Sequence, residues 1–574
     1  MQPAEILQLL ALLACLIVAA VPLGRWIVRI FDGPGGVAWT SGAERWIYRL
    51  CGIDHRQEQD WRRYALSALA LNGAAMLGAY AVMRLQDLLP LNPAGLPAVP
   101  PDLAFNTAAS FIVNADWQAY GGETTMSYLT QMLALTTLNF ISPASGMAVL
   151  MATVRGFARS SATTLGNFYV DVVRSIIYVL LPLAFLLALF HVWQGVPQNL
   201  NAYQAVTTLE GAAQTIPQGP VASQDIIKVL GTNGGGFFNA NSAHPYESPS
   251  PLINFLQCWA MLLVPAALAF AFGWMVRDGR QGRALFAAMG LMLVVGIVAC
   301  TWAENRGNPQ LSGLDLISAD NGPPSPLGNL EGKELRFGSG GSALFEVITT
   351  ATGTGAANAM LDSFTPIGGM VPMLNLIAKE VIFGGVGTGL QGLLADVLIA
   401  VFIAGLMVGR TPEYLGKKIE PRDMKLVVLL TVIPPLTCLG MGAASMLLPA
   451  ALQAVSAAGP HGLSQTLYSY LSTTMNNGSS FSGFNGNTLY QNSALGVAML
   501  IGRFMVMVPA LALAGSIAAK RKIPVSSGTL PTHGGLFVLL LIGIICIVGM
   551  LTYFPVLALG PLAEQLEVLA GTAF

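Results

Sequence analysis

Long apolar stretches alternate with short polar segments along almost the whole chain. A run of about 20 apolar residues is long enough to cross a bilayer as a helix. The first run is not preceded by the Lys or Arg that begins a secretory signal peptide, so we expect a retained helix. The pattern predicts an all-α integral membrane protein with ten spans: 5–23, 64–83, 128–153, 175–193, 252–274, 284–302, 367–408 (interrupted), 425–448, 493–518 and 535–557.

Composition and charge agree with a membrane protein. Of the 574 residues, 54% are hydrophobic and 10% are charged, whereas soluble proteins carry about 25% charged residues. Most Lys and Arg residues fall in alternate inter-helix segments, which the positive-inside rule assigns to the cytoplasm. Ten spans then leave both termini outside. No basic block suggests binding to nucleic acid. The outer segments hold few basic residues, namely Arg84, Lys228, Arg306, Lys333 and Arg336.

Four outer segments rich in small and polar residues recur at a regular interval. Regular spacing of one kind of element indicates an internal repeat. Each unit reads helix, short helix, glycine-rich loop, helix, and two spans per unit give all four copies the same orientation. The segments are 105–123, 230–245, 345–364 and 468–487. Taking Asn114, Asn233, Thr354 and Asn477 as markers, the spacings are 119, 121 and 123 residues.

The repeats divide the chain into six parts around one predicted pore. We expect a first extra helix with a cytoplasmic loop (1–60), repeats 1 to 4 (61–160, 161–283, 284–422 and 423–522) and a last extra helix (523–574). The short helices are predicted near 101–112, 223–231, 342–351 and 464–475.

The glycine-rich loops have a physical explanation at membrane depth. Unsatisfied backbone groups in hydrocarbon cost several kcal/mol, so an irregular segment there must line a cavity. Four loops entering from one side can form rings of carbonyl oxygens that replace the hydration shell of a cation. Glycine permits the positive φ values that such close packing needs, and the negative ends of the short helices would face the cation. The alternative is that the loops are ordinary extracellular turns.

Several motifs resemble one known family. They are "LGTNGGGFFNANSAHP" (230–245), "DSFTPIGGMVPM" (362–373), "FGGVGTGL" (383–390), "GRTPEYLGKKIEPRDMKL" (409–426) and "SSGTLPTHG" (526–534). Together they resemble the potassium-binding, channel-like subunit of the Kdp potassium-importing P-type ATPase. The resemblance implies a potassium-channel-like fold shared with the Trk and Ktr transporters. In that fold, four helix–pore loop–helix units are flanked by a first and a last helix.

The resemblance also implies which residues form a potassium-selective filter. In the first loop, the family pattern often has an amide where this chain has Asp116, which would put a carboxylate beside the pore. In the third loop, Thr354 replaces a frequent cysteine and Leu361 a frequent histidine. The implied filter residues are Asn114, Ala115, Asp116 and Gln118; Thr232, Asn233, Gly234, Gly235 and Gly236; Thr354, Gly355 and Ala356; and Asn476, Asn477, Gly478 and Ser479.

The family further implies a complex in a bacterial inner membrane. Its other members are a P-type ATPase catalytic subunit, a third subunit with a single span and a small membrane peptide. This chain has neither a D-K-T-G phosphorylation sequence nor a G-x-x-x-x-G-K-[ST] loop. We therefore expect potassium as the substrate and ATP hydrolysis only in the partner subunit. One alternative is a stand-alone Trk- or Ktr-like potassium channel or ion-coupled carrier. An intramembrane enzyme is disfavoured because no HExxH or GxSxG motif occurs within a span.

Arg503 lies about eleven residues into its predicted span. A charge at that depth costs at least about 2.5–3.5 kcal/mol, and snorkelling does not reach either interface. We therefore expect the Arg503 side chain to face the cavity below the filter and to repel cations there. The alternative is a structural ion pair, with Glu380 as the best partner.

The segment 378–392 interrupts the second helix of repeat 3. Each glycine costs about 1 kcal/mol in a helix, so the helix should unwind there. A loop at this point could block the straight exit to the cytoplasm, and the alternative is a flexible kink that serves packing. The gate residues implied are Glu380 and Gly384, Gly385, Gly387 and Gly389.

Overall fold

Ten long apolar helices dominate the fold and confirm the predicted number and order of spans. The computed structural model describes residues 1–32, 41–307, 328–407, 409, 411–524 and 530–571, so part of the 526–534 motif lies outside the described residues. Within them, the candidate spans are Pro3–Asp32, Trp61–Arg84, Thr130–Ala158, Phe168–Trp193, Pro251–Met275, Gly279–Glu304, Thr388–Met407, Pro421–Leu447, Leu489–Ala518 and Gly535–Ala570.

The starts of these helices follow from local sequence. Pro251 and Pro421 occupy the first helical turn, where the missing N–H group has no partner to lose. Ser250 and Thr488 cap their helices by accepting the backbone N–H groups of the third residue of each, Ile253 and Gln491. Such side-chain caps satisfy donors that a helix leaves free at its amino end.

Four short helices precede the glycine-rich loops, as the sequence predicts. They span Pro101–Ile112, Val221–Leu230, Gly338–Ala351 and Gly459–Met475. The first matches its predicted bounds, and the third and fourth begin one turn earlier than predicted. We call these elements pore helices. Their side chains are buried on nearly all sides, which places them among the spans rather than on the surface.

The spans differ in how deeply they are buried. The most apolar window of Thr130–Ala158 is 72% buried and that of Pro251–Met275 is 78% buried. In contrast, the corresponding windows of Pro3–Asp32 and Gly535–Ala570 are each 22% buried. The second helices of repeats 1 and 2 therefore lie at the centre of the bundle. The first and last helices pack on its periphery, where lipid would cover them.

The second helix of repeat 3 is broken, as predicted. It consists of Pro366–Ile377 and Thr388–Met407, separated by a non-helical segment at 378–387. Lys379, Glu380 and Phe383 in this segment have positive φ values of 57°, 52° and 51°. The left-handed region is incompatible with a continuing α-helix, so the chain leaves and re-enters the helical path here.

The remaining elements lie at the two ends of the bundle. An antiparallel hairpin pairs Gln204–Thr207 with Ala213–Ile216, and a second pairs Glu413–Tyr414 with Lys417–Lys418. Lys417 Nζ donates to Gly156 O at 2.8 Å and Ile517 O at 2.7 Å. This contact ties the second hairpin to the ends of two spans. Further short helices are Ser41–Leu50, Gly122–Thr125, Asn241–Ala243, Leu361–Ser363 and Pro449–Leu452.

Candidate functional site: a ring of four pore loops

All four loops leave their pore helices with the same hydrogen-bond pattern. Two successive backbone N–H groups turn back toward one residue of the preceding helix. The pairs are Ala115 and Asp116 to Ser110 O, Asn233 and Gly234 to Lys228 O, Thr354 and Gly355 to Thr349 O, and Asn477 and Gly478 to Ser472 O and Oγ. The equivalent residues are therefore Ala115, Asn233, Thr354 and Asn477, spaced 118, 121 and 123 apart. The first predicted marker, Asn114, is one residue too early.

Positive φ values recur at alternate residues of each loop. They flank the equivalent positions on both sides, and this alternation turns successive carbonyl groups toward the same side of the chain. A carbonyl-lined filter needs that geometry. The φ values are 70° and 48° at Asn114 and Asp116, 51° and 97° at Thr232 and Gly234, 65° and 83° at Gly353 and Gly355, and 64° and 95° at Asn476 and Gly478.

Three glycines allow the loops to interlock. A Cβ atom at Gly234 would lie 1.9 Å from Thr354 O, and one at Gly355 would lie 1.8 Å from Asn477 O. A Cβ atom at Gly478 would lie 1.7 Å from Ala115 O. The second loop thus contacts the third, the third contacts the fourth and the fourth contacts the first. A hydrogen bond from Gln118 Nε2 in the first loop to Gly236 O in the second closes the ring, and no side chain fits at the three glycine positions.

The ring separates two cavities. An outer vestibule of about 850 Å³ is lined by Asp116, Gly235, Gly355 and Gly478 together with later loop residues. A smaller cavity of about 100 Å³ on the other side is lined by Asn114, Gly353 and Asn476. In the first, third and fourth loops, the residues before and after the equivalent positions therefore face opposite compartments. An ion that passes between the cavities by this path crosses the ring.

The carboxylate of Asp116 does not lie beside the pore, contrary to what the family resemblance implied. Its backbone lines the vestibule, but its side chain is 0% exposed. When the amide of Asn139 is oriented by its hydrogen bonds, its nitrogen donates to Asp116 Oδ2 at 2.9 Å and to Leu135 O at 3.0 Å. The carboxylate therefore lies behind the ring and is shielded from water in the vestibule.

We expect Asp116→Asn to change potassium affinity by less than about tenfold, or ~1.4 kcal/mol, because an amide keeps the shape and a hydrogen bond to Asn139. Asp116→Ala should cost more, at about 1–3 kcal/mol, since one buried N–H of the Asn139 amide loses its acceptor and only the bond to Leu135 O remains. The potassium dependence of ATP hydrolysis by the assembled complex measures both. Equal effects of the two substitutions would contradict the contact with Asn139.

Gln118 joins the first loop to the second. Its Nε2 donates to Gly236 O at 2.8 Å, and its Oε1 accepts from Gly236 N at 3.0 Å. The side chain is therefore a cross-loop clamp as well as a lining residue of the outer vestibule. The family resemblance implied Gln118 as a filter residue but did not predict the contact with Gly236.

Gln118→Arg should weaken potassium uptake for two reasons. Arginine has no acceptor for Gly236 N, and it adds a cation at the outer mouth. We expect the potassium concentration for half-maximal uptake to rise at least about tenfold, with Gln118→Glu as the control that keeps the acceptor and reverses the added charge. An increase of the same size in Gln118→Glu would contradict both reasons, because glutamate keeps the acceptor for Gly236 N and adds no cation.

Several predicted filter residues are fixed by contacts behind the ring. Ser479 Oγ lies 2.7 Å from Tyr468 Oη, and Ser479 N donates to Asn477 Oδ1 at 3.1 Å. Ala356 is 0% exposed. A Cβ atom at Gly236 would lie 2.8 Å from Glu247 Oε1. These residues support the loop backbone, and Ser479 also lines the outer vestibule.

A buried ionic cluster behind the second loop was not predicted. Lys228 Nζ contacts the carboxylates of Asp225, at 3.1 Å, and Glu247. Glu247 Oε1 accepts the backbone N–H of Phe238 at 2.8 Å. His191 Nε2 lies 3.3 Å from Asp225 Oδ2. Because Lys228 O also receives the loop amides, this cluster anchors both ends of the glycine-rich turn. Its only sequence signal is the Lys228 and Asp225 pair at helical spacing.

The broken helix of repeat 3 lies directly beneath the ring. Val386 N donates to Thr232 Oγ1 at 2.9 Å. A Cβ atom at Gly387 would lie 2.3 Å from Gly146 O, so the segment packs between the second loop and the central helix of repeat 1. Of the predicted gate residues, Glu380, Gly385 and Gly389 line the inner cavity. A Cβ atom at Gly384 would lie 1.4 Å from Glu380 O.

Arg503 lines the inner cavity with Glu380 and Lys379. Its Nη2 donates to Ser142 O at 3.2 Å. The guanidinium and the Glu380 carboxylate share the cavity, but no direct ion pair joins them in the described part of the chain. A cation that leaves the ring on this side therefore meets the Arg503 charge.

The chain is similar to known proteins over nearly its full length. The family described as "KdpA: Potassium-transporting ATPase A subunit" matches residues 10–566. A protein of Rhodospirillum centenum named potassium-transporting ATPase potassium-binding subunit is 56% identical over 573 residues, which covers 99% of this chain and 98% of that protein. A protein of Methylorubrum extorquens with the same name is 55% identical, with 98% of each chain covered.

A solved structure supports the fold. The potassium transporter TrkH from Vibrio parahaemolyticus matches with a TM-score of 0.50 at 15% identity, covering 88% of this chain and 98% of that one. At this identity the similarity concerns architecture alone. It agrees with the arrangement of spans and pore loops described above.

Proposed function

The chain belongs to the KdpA family of potassium-transporting ATPase A subunits, and we propose that it binds potassium in the four-loop ring and delivers the ion to an ATPase partner. The observation that carries the proposal is the closed ring of loops between the outer vestibule and the inner cavity. Potassium is the transported ion. The relatives are named as the potassium-binding subunit, which supports a non-catalytic role for this chain.

Potassium enters from the vestibule and is coordinated by backbone oxygens of the ring. The carbonyls of Ala115, Thr354 and Asn477 are the groups that the neighbouring glycines approach most closely, so they set the width of the ring. Backbone carbonyls replace the hydration shell of potassium without adding charge. The glycines make this possible because side chains at their positions would push the loops apart.

After the ring, the ion leaves sideways rather than straight through. Arg503 repels cations in the inner cavity, and the segment 378–387 lies across the direct exit. The same cavity is lined by Asp396 of repeat 3 and Thr431 of repeat 4. These polar residues favour a lateral route between the helices Thr388–Met407 and Pro421–Leu447. An importer that works against a gradient needs such a barrier, because an open straight pore would dissipate the gradient.

The proposed setting is a multi-subunit complex of a bacterial inner membrane with both termini outside. ATP acts only through the P-type ATPase catalytic subunit. A single-span third subunit and a small membrane peptide complete the complex, and lipid covers the peripheral helices. These partners are those of the family.

A reconstitution experiment tests the proposal. The whole complex in liposomes should take up potassium only with ATP, and this chain alone should conduct little. A stand-alone channel or ion-coupled carrier of the Trk or Ktr kind would instead pass potassium without partners. Rapid potassium flux through the purified chain alone, at a rate unaffected by ATP, would overturn the proposed role.

A further inference from the structure

The central helix of repeat 1 carries polar residues and a proline at the level of the ring. Asn139 and Ser142 are 1% and 0% exposed, although this part of the chain crosses an apolar core. Pro143 lies inside the helix Thr137–Ala158. A Cβ atom at Gly231 would lie 3.0 Å from Pro143 Cγ. The proline ring therefore packs against the base of the second loop.

Proline at this position frees a backbone carbonyl. In an uninterrupted helix, the N–H of residue 143 would donate to Asn139 O, but proline has no N–H. The amide of Asn233 lies against this carbonyl. Oriented by its surroundings, the Asn233 nitrogen donates to Asn139 O at 3.1 Å and to Ile227 O at 3.2 Å. In the same orientation, the Asn233 oxygen accepts from Ser142 Oγ at 3.0 Å.

The same helical turn also contacts the first loop. The side-chain amide of Asn139 donates to Asp116 Oδ2, and Ser142 Oγ lies 2.8 Å from Asn114 Oδ1. Asn139 thus uses its backbone oxygen for the second loop and its side chain for the first. At the other three boundaries a Cβ atom on the glycine would lie 1.7 to 1.9 Å from a carbonyl oxygen, whereas here the approach of Gly235 to Asp116 O leaves 3.0 Å. This boundary is therefore looser between backbones and relies on side-chain contacts.

We propose that Pro143 and Asn139 are positioning residues that determine ion specificity. Because Pro143 frees the carbonyl oxygen of Asn139, this oxygen holds the Asn233 amide and so sets the distance between the first two loops. The inference rests on the proposed filter function. The width of a carbonyl ring decides how well an ion is coordinated once it has lost its water. A loop held by a buried hydrogen bond keeps that width, whereas a released loop adapts to larger ions.

Pro143→Ala tests the proposal because it returns an N–H group that can reclaim Asn139 O. We expect the potassium concentration for half-maximal ATP hydrolysis by the complex to rise about three- to tenfold, as for one lost hydrogen bond. The discrimination of potassium against rubidium and ammonium should fall, while the maximal rate stays unchanged. The melting temperature of the complex should be equal or higher, since alanine favours the helix. A role in stability alone predicts no change in ion discrimination.

Pro509→Ala is the matched control. Pro509 also lies inside a span, but the carbonyl that it frees belongs to Met505, a residue that is 55% exposed. This variant should leave ion discrimination unchanged. A loss of discrimination equal to that of Pro143→Ala would mean that any change of helix bend is sufficient, and would overturn the proposal.

A double-mutant cycle separates the hydrogen bond from the bend of the helix. If Pro143 acts through the Asn233 amide, Pro143→Ala should add almost nothing in an Asn233→Ala background. Additive effects would overturn the proposal. Failure of the filter itself gives a different result, because Gly234→Asp would then leave the potassium dependence unchanged. A defective Gly234→Asp complex together with normal discrimination in Pro143→Ala would overturn only the inference about the proline.

Discussion

Gly234→Asp should abolish high-affinity potassium binding. The Cβ atom would lie 1.9 Å from Thr354 O, and the φ of 97° is one that L side chains rarely adopt. Because the neighbour is the backbone of the third loop, it cannot move without opening the ring. We expect the potassium concentration for half-maximal ATP hydrolysis to rise at least about a hundredfold, or ~2.7 kcal/mol. Titration of the complex from low micromolar to millimolar potassium measures the change.

Gly211→Asp provides the control for this substitution. Gly211 also has a positive φ, of 84°, but a Cβ atom there would meet nothing within 4 Å. It therefore tests backbone strain and the added charge without a clash in the ring, and its potassium dependence should stay close to normal. An unchanged titration in Gly234→Asp, with the complex assembled, would contradict the assignment of the ring as the filter.

The fold was predictable because its signals are local. Spans follow from the length of apolar runs, and the pore helices follow from short apolar segments before polar loops. The break at 378–387 follows from the density of glycine. Each signal resides within about 20 residues and needs no knowledge of the partner segment. The predicted sides of the membrane and the division into domains remain expectations.

The details of the ring were less predictable because they depend on residues far apart in the chain. The contact of Gln118 with Gly236, and the orientation of Asp116 toward Asn139, arise only when two repeats pack together. The first marker was misplaced by one residue because its loop has Ala115 where the second and fourth have asparagine. The asparagines of the second and fourth loops favoured the adjacent Asn114 as the marker of the first loop. The hydrogen bonds to the pore helix show instead that Ala115 is the equivalent residue.

Arg503→Ala should raise the passive potassium leak of the complex while lowering ATP-coupled uptake. The side chain is buried in the inner cavity and donates to Ser142 O, so its charge faces any cation that has passed the ring. At an effective dielectric constant of about 20, two unit charges 4 Å apart interact by about 4 kcal/mol, which is enough to oppose entry. Removing this charge should increase leak by at least about tenfold.

Arg503→Lys is the control, because it keeps a positive charge in the cavity and should keep most of the barrier. The second part of the barrier is the broken segment of repeat 3, in which Val386 N donates to Thr232 Oγ1 directly beneath the ring. Shortening the segment between Gly384 and Gly389 tests this part. Potassium flux into liposomes that hold the whole complex, with and without ATP, measures leak and coupled uptake together. If leak stays at the wild-type level in Arg503→Ala and in the shortened variant while both complexes still bind potassium, the barrier lies elsewhere along the route.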